Sequence, residues 1–117
     1  MDTYQPGLHI IATFLASAKD LKRIHECKDF FDQMIRALEL TNVGEVYHPF
    51  PGGGFTASVC LTESHVSIHT WPEYGLATFD VFLSSYREDN SKKAARFYEQ
   101  TIRFFNATEK SRVDLQR

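Results

Sequence analysis

Hydrophobic and polar positions follow two different periods along this chain, and the periods divide it into elements. From Leu8 to Ala16 the run is rich in β-branched and aromatic residues, Ile10, Ile11, Thr13 and Phe14 among them, which predicts a strand. From about Ile24 to Leu40, Phe30, Phe31, Met34, Ile35 and Leu38 recur at helical spacing and predict an amphipathic helix. Asn42-Val43-Gly44 reads as a turn, and Glu45 to Phe50 as a short strand. Pro51-Gly52-Gly53-Gly54 ends that strand, since glycine takes positive φ without steric penalty. Further strands are expected from Phe55 to Thr62, from about Val66 to Trp71 and from Leu76 to Ser84. After Arg87-Glu88-Asp89-Asn90-Ser91, with Asn90 or Ser91 as N-cap, Ala94, Ala95, Tyr98, Ile102 and Phe105 mark a second helix.

Two helices and about five strands in 117 residues predict a single α+β domain spanning residues 1–117. The expected architecture is a two-layer sandwich, a mostly antiparallel sheet with both helices on one face. Alternate side chains of a strand point to opposite faces. Phe55, Ala57, Val59, Leu61, Ile68, Ala77, Phe79 and Val81 then pack under the helices. Thr56, Ser58, Cys60, Thr62, His69, Thr78, Asp80, Phe82 and Ser84 fall on the other face, which is polar and holds most of the chemically useful groups.

Composition narrows the partners. A formal charge of −2 with scattered signs offers no basic stripe, so neither nucleic acid nor a membrane surface is expected. Met1 to Gly7 has no positive segment followed by an apolar core, and no apolar run approaches the roughly 20 residues of a membrane span, so the expected location is cytoplasmic. Cys27 and Cys60 have no CxxC spacing and read as free thiols. Gly52-Gly53-Gly54 lacks the Lys-Ser/Thr of a phosphate loop, and His9, His48, His65 and His69 show no HExxH-type metal spacing. A chain this short makes a homo-oligomer with a shared site the natural way to build a pocket.

The chemistry concentrates in Glu63-Ser64-His65-Val66-Ser67-Ile68-His69. A serine hydroxyl attacks the preceding carbonyl only when strained backbone, an oxyanion site or a base assists it. Attack turns the Glu63–Ser64 amide into an ester. Removal of the serine α-proton then eliminates the upstream chain and leaves dehydroalanine, which hydrolyses to pyruvoyl. The base needs a pKa near working pH, which suits a histidine at about 6.5.

The run from Glu63-Ser64-His65 through His69-Thr70-Trp71-Pro72-Glu73-Tyr74-Gly75, followed by Phe79-Asp80-Val81-Phe82, resembles the processing and active-site segment of S-adenosylmethionine decarboxylases of the short prokaryotic type, and the likeness extends from Gly7-Leu8-His9 through the second helix. The resemblance implies a proenzyme that cuts itself into residues 1–63 and 64–117. Ser64 is then the precursor of a covalent pyruvoyl cofactor, Glu63 carries the carbonyl of the cut bond, and His69 is the base. Thr56 stands where the family has a serine that assists processing. Phe50 aligns with an aromatic that stacks on adenine and Glu73 with a carboxylate that holds the ribose hydroxyls, and Val66 is assigned to the same substrate pocket.

The pyruvoyl carbonyl of that family condenses with the substrate amine as a Schiff base and draws off the electrons left when carbon dioxide departs. A cysteine of the family then returns a proton, and Ser84 occupies that position here. The expected function is decarboxylation of S-adenosylmethionine in polyamine synthesis, by a homodimer of processed protomers with sites near its interface. Two alternatives stay open because of Ser84: a pyruvoyl enzyme acting on ornithine or arginine, and a non-catalytic homologue that regulates an active partner.

Overall fold

The computed structural model describes residues 4–85 and 88–117. Met1, Asp2, Thr3 and Arg87 of the segments read above lie outside the described residues. The elements run β1 (Leu8–Leu15), α1 (Ile24–Ala37), β2 (Asn42–Pro49), β3 (Phe55–Leu61), β4 (Ser64–Trp71), β5 (Leu76–Leu83), α2 (Ser91–Phe104) and β6 (Thr108–Gln116), with short 3-10 turns at Asp20–Lys22 and Pro72–Tyr74. The strands form one six-stranded sheet in the order β2-β3-β4-β5-β1-β6. Every neighbouring pair is antiparallel.

Alternation sorts the side chains as the sequence pattern requires. Phe55, Ala57, Val59, Ile68, Ala77, Val81 and Ile10 are fully buried on the helix-covered face, with Phe79 nearly so. The two helices bring aromatic rings onto that face: Phe31 packs edge-on to Phe97 with centroids 5.5 Å apart, and Phe30 stacks on Phe104 at 4.7 Å. Burial of such rings is worth more than that of any other core side chain. Among the described residues the opposite face carries no helix, so both helices lie on one side and the architecture is an α+β two-layer sandwich.

Differences from the sequence reading have local causes. Both helices end in a left-handed residue that is not glycine. Glu39 has φ 58° and Asn106 φ 51°. In each case the amide two residues past the last cap reaches back into the final turn, Leu40 to the Ile35 carbonyl at 2.8 Å and Ala107 to the Ile102 carbonyl at 3.0 Å. The first helix therefore stops at Ala37 and not near Leu40. Asn42-Val43-Gly44 belongs to β2, but with an irregular register against β3, and the Asn42 side chain accepts the Gly44 amide at 2.9 Å, the local bond that makes asparagine a turn former. Asn90 occupies the N-cap position without capping. Its side chain donates instead to the Ser84 carbonyl at 2.8 Å, while Asp89 takes the Ser91 amide at 2.9 Å.

The sixth strand, β6, has no expectation behind it, because all of its residues are exposed and its apolar alternation is confined to Val113 and Leu115. It is held as an edge strand by pairing with β1. Charged side chains are what an exposed sheet edge needs to resist pairing with another chain.

The core ring Phe31 offers a direct check of this packing. Phe31→Ala is expected to lower unfolding stability by about 3–5 kcal/mol, the usual cost of emptying a fully buried phenylalanine site. Urea denaturation should show a lower midpoint with an unchanged slope.

Candidate active site

The β3–β4 connection is a two-residue hairpin. Leu61 pairs with Ser64, leaving only Thr62 and Glu63 in the turn. Hairpins this short favour turns whose central residues have positive φ, commonly Asn-Gly. Thr62-Glu63 suits neither position, and the only positive φ values outside glycine among the described residues are at Glu39, Asn106 and Ser64. Ser64 stands at φ 150°, so the backbone distortion that reverses the chain falls on the residue after the turn, at the Glu63–Ser64 bond itself.

That bond is also electrostatically prepared. Ser84, immediately after β5, donates its amide to the Glu63 carbonyl oxygen at 2.7 Å. The Glu63 side chain is held apart from this, accepting the Thr41 amide at 3.3 Å. Nucleophile, carbonyl and a backbone donor on that carbonyl therefore meet at one end of β4.

The other end of β4 carries a second group. His69 projects from the helix-free face, and its Nδ1 lies 2.6 Å from Thr56 Oγ1 on the neighbouring strand. The register that pairs Thr56 with His69 makes this contact. Beside them a cleft of about 310 Å³ is lined by Phe50, Gly54, Thr56, His69, Trp71 and Glu73. Phe50 is 48% exposed and sits edge-on to His48 at 5.0 Å. The turn after it closes by bonds from the Phe50 amide to the Gly54 carbonyl and from the Gly53 amide to the Phe50 carbonyl. Gly53 has φ 97°, a conformation that favours glycine over any residue with a side chain. Glu73 lies in the 3-10 turn that ends at Gly75, in the left-handed conformation at φ 62°.

The predicted site residues therefore form two groups and not one. Glu63, Ser64 and Ser84 lie at the start of β4. Phe50, Thr56, His69 and Glu73 lie at its far end. Five strand steps separate Ser64 from His69, about 16 Å at the usual rise per residue. Val66 joins neither group through its side chain, which is fully buried on the helix side with Ile68; its assignment to the substrate pocket conflicts with strand parity.

A third group was missed as a unit. His9 and His65 pair across β5 with Phe82, one from each side, and Asp80 follows two positions along the same face. His9 Nε2 is 3.3 Å from one Asp80 oxygen, His65 Nε2 is 3.6 Å from the other, and Arg117 Nη1 is 3.1 Å from His9 Nδ1. Each of His9, His65 and Asp80 places a ligand-type atom within 4.8 Å of the others, although the spacing of the histidines gave no sign of it. Parity places Asp80 on the polar face, and the pairing of β1 with β5, strands far apart in the sequence but adjacent in the sheet, supplies the missing signal. Burial alone would raise the Asp80 carboxyl, but its contacts with His65 and then His9 outweigh that and hold it below the usual aspartate range.

A sequence model of the family described as S-adenosylmethionine decarboxylase matches residues 8–117. The chain is 40% identical over 111 residues to an S-adenosylmethionine decarboxylase proenzyme of Aquifex aeolicus, covering 94% of this chain and 77% of that one. It is 44% identical over 92 residues to the proenzyme of Archaeoglobus fulgidus, covering 78% and 80%. The fold is similar to the crystal structure of the adenosylmethionine decarboxylase from Aquifex aeolicus, with a TM-score of 0.78, 31% identity, and coverage of 98% of this chain and 91% of that one.

The Asp80 environment predicts a pH signature. A folded-state carboxyl held below its unfolded value adds stability above the ordinary aspartate range, about 3.9, and loses it as pH falls through the folded-state value. The gap in Tm between the wild type and Asp80→Asn should be full at neutral pH and shrink as pH drops below about 4. A gap that stayed constant down to about pH 2 would mean that the charge of Asp80 contributes nothing.

Proposed function

Because the chain belongs to the S-adenosylmethionine decarboxylase family, we propose that it is made as a proenzyme, cuts its own Glu63–Ser64 bond and decarboxylates S-adenosylmethionine at a site completed by a second copy of itself. The observation that carries this reading is the cut site: a serine at φ 150° whose preceding carbonyl already accepts an amide at 2.7 Å.

Ser64 Oγ adds to the Glu63 carbonyl carbon, and the charge that develops on the oxygen faces the Ser84 amide. A fixed donor aimed at a developing oxyanion commonly contributes about 2.7–4 kcal/mol. The C–N bond breaks, the Ser64 nitrogen takes a proton, and the chain is held by an ester. A base then removes the Ser64 α-proton. The Cβ–O bond breaks and residue 63 leaves as a carboxylate. The dehydroalanine that remains takes up water and releases ammonia, giving the pyruvoyl group. When formed, that group supplies a carbonyl that binds the substrate amine and accepts the electron pair released with carbon dioxide.

His69 suits the base, with Thr56 accepting from Nδ1–H so that Nε2 keeps its lone pair. It cannot serve the Ser64 of its own strand across about 16 Å. The helix-free face offers the remedy. Besides its polar groups it exposes Ile11, Leu15, Val113 and Leu115, at 40%, 42%, 52% and 41%. Stacking two such faces about a two-fold axis that runs across the strands reverses β4 of one copy over β4 of the other. The Thr56–His69 end of each protomer then meets the Glu63–Ser64 end of its partner, and Phe50 and Glu73 bring the adenine-stacking ring and the ribose-binding carboxylate with them.

Ser84 has a hydroxyl where the family resemblance implies a thiol. The cleavage step draws on its amide and not on its side chain, so this exchange leaves self-cleavage intact. It bears on the later return of a proton to the substrate carbon, and it is the one feature that favours a different amine substrate, or a regulatory role, as a second reading.

Intact-mass measurement should find two fragments, residues 1–63 and a pyruvoyl-capped 64–117, with Ser64→Ala remaining whole. Neither Ser64→Ala nor His69→Ala should cleave alone, but on co-expression the His69→Ala chain should be cut by the His69 of its Ser64→Ala partner. Absence of any cut chain in the mixture, with both single copies folded, would rule out the composite site. For the substrate pocket, Phe50→Ala should raise KM for S-adenosylmethionine by about tenfold or more, since stacking on a base is worth roughly 1–3 kcal/mol. Carbon dioxide released from ornithine or arginine, with none from S-adenosylmethionine, would establish the other substrate.

A further inference from the structure

Four side chains from four neighbouring parts of the sheet join on the helix-free face at the Ser64 end. Arg117, just beyond β6, is tied by two backbone bonds to Gly7, the residue before β1, at 2.6 and 3.0 Å. Its guanidinium lies 5.4 Å above the Phe82 ring. His9 is 5% exposed and meets His65 edge-on, with ring centroids 5.7 Å apart. Both imidazoles also pack on Phe82, at 5.2 and 6.1 Å.

Protons can be placed in this group from chemistry. A guanidinium only donates, so the contact at 3.1 Å requires His9 Nδ1 to accept. Neutral His9 therefore carries its proton on Nε2 and donates to Asp80 Oδ2 at 3.3 Å. The other Asp80 oxygen is buried without a hydrogen-bond partner and faces His65 Nε2 at 3.6 Å. The chain of contacts thus runs Arg117 to His9 to Asp80 and ends at His65, the residue that follows Ser64.

His65 is the first side chain of β4 able to hold the strand end in place, since cleavage converts residue 64 into the group that reacts and removes the peptide bond before it. We propose that the Arg117–His9–Asp80–His65 network positions residue 64, before and after the cut, by fixing its neighbour His65. This inference rests on the reading of Ser64 as the cleavage residue. His65 and Asp80 are positioning residues in it, acting through residue 64. A metal centre on the same three groups is disfavoured, because a metal bound at His9 Nε2 needs an acceptor at Nδ1, where Arg117 presents a donor.

The test uses the full chain with Asp80→Asn, which keeps the size and an acceptor for His9 but turns a donor or neutral group toward His65, and independently His65→Asn. Each should slow cleavage, and lower kcat of the matured fraction, by about ten- to a hundredfold with KM within about twofold, as expected of a misplaced reacting group. The double variant should be no worse than the singles, since both act through one residue. Circular dichroism and native mass establish that the variants fold; should Asp80→Asn unfold, His65→Asn carries the measurement. Cleavage and kcat at wild-type values in folded variants would overturn the network and leave the proposed function standing, as would a change confined to KM or additive losses in the double variant. A wild type that stays whole would overturn both. Cobalt binding with a visible absorption band lost in Asp80→Asn would make the cluster a metal centre and overturn the positioning role.

Discussion

Coverage of the sheet on one face only is the constraint from which the remaining organisation descends. With helices on a single side, each strand must send alternate residues into the core and the residues between them to the open face. Phe55 and Thr56, Ile68 and His69, Phe79 and Asp80, and Ile10 and His9 are neighbours in the chain that part to opposite sides. Packing of the buried member sets the register, and the register delivers the polar member to its partner across the ladder. A slip of one residue would exchange the two sets entirely. The Thr56–His69 contact is therefore maintained as much by Ala57 and Ile68 beneath it as by its own hydrogen bond.

The same constraint explains what could be read in the amino-acid order. Period-two alternation in β3 and β5 identifies their buried residues, because each residue's face follows from its neighbours. The helix ends were obscure because Glu39 and Asn106 take a conformation usually left to glycine, one that the following Leu40 and Ala107 bonds stabilise. β6 was invisible because its partner β1 supplies the apolar alternation. At the site, the chemical groups are recognisable in the Glu-Ser-His run, but their division into two groups follows only from the rise along a strand, which separates Ser64 from His69. Val66 shares parity with Ile68, so its side chain belongs to the core. The Asp80 cluster depends on the placement of β1 between β5 and β6, a long-range pairing with no local signature.

Two loops show how the chain distributes backbone distortion. After β2, glycines at 52 and 53 absorb positive φ at little cost. Between β3 and β4 there is no glycine, the turn is as short as a hairpin allows, and Ser64 carries the distortion, typically about 1–3 kcal/mol for such a residue. The surrounding ladders to β3 and β5 enforce it. Rupture of the Glu63–Ser64 bond would relieve this strain, so the proposed cut falls where the backbone distortion is stored.

A break at that bond would leave β1, α1, β2 and β3 on one piece and β4, β5, α2 and β6 on the other. These pieces interleave, for β1 sits between β5 and β6 while β3 borders β4. Three ladders join them, so neither can peel away from an edge, and the severed protein would behave as one molecule under native conditions. Unfolding would change that. The hairpin that brings β3 to β4 at no cost in translational entropy is gone, and reassembly requires two chains to meet by diffusion and thread a central strand into place. Refolding would then depend on concentration and compete with aggregation. Maturation would convert a chain that folds alone into an assembly whose persistence is governed by how slowly it unfolds.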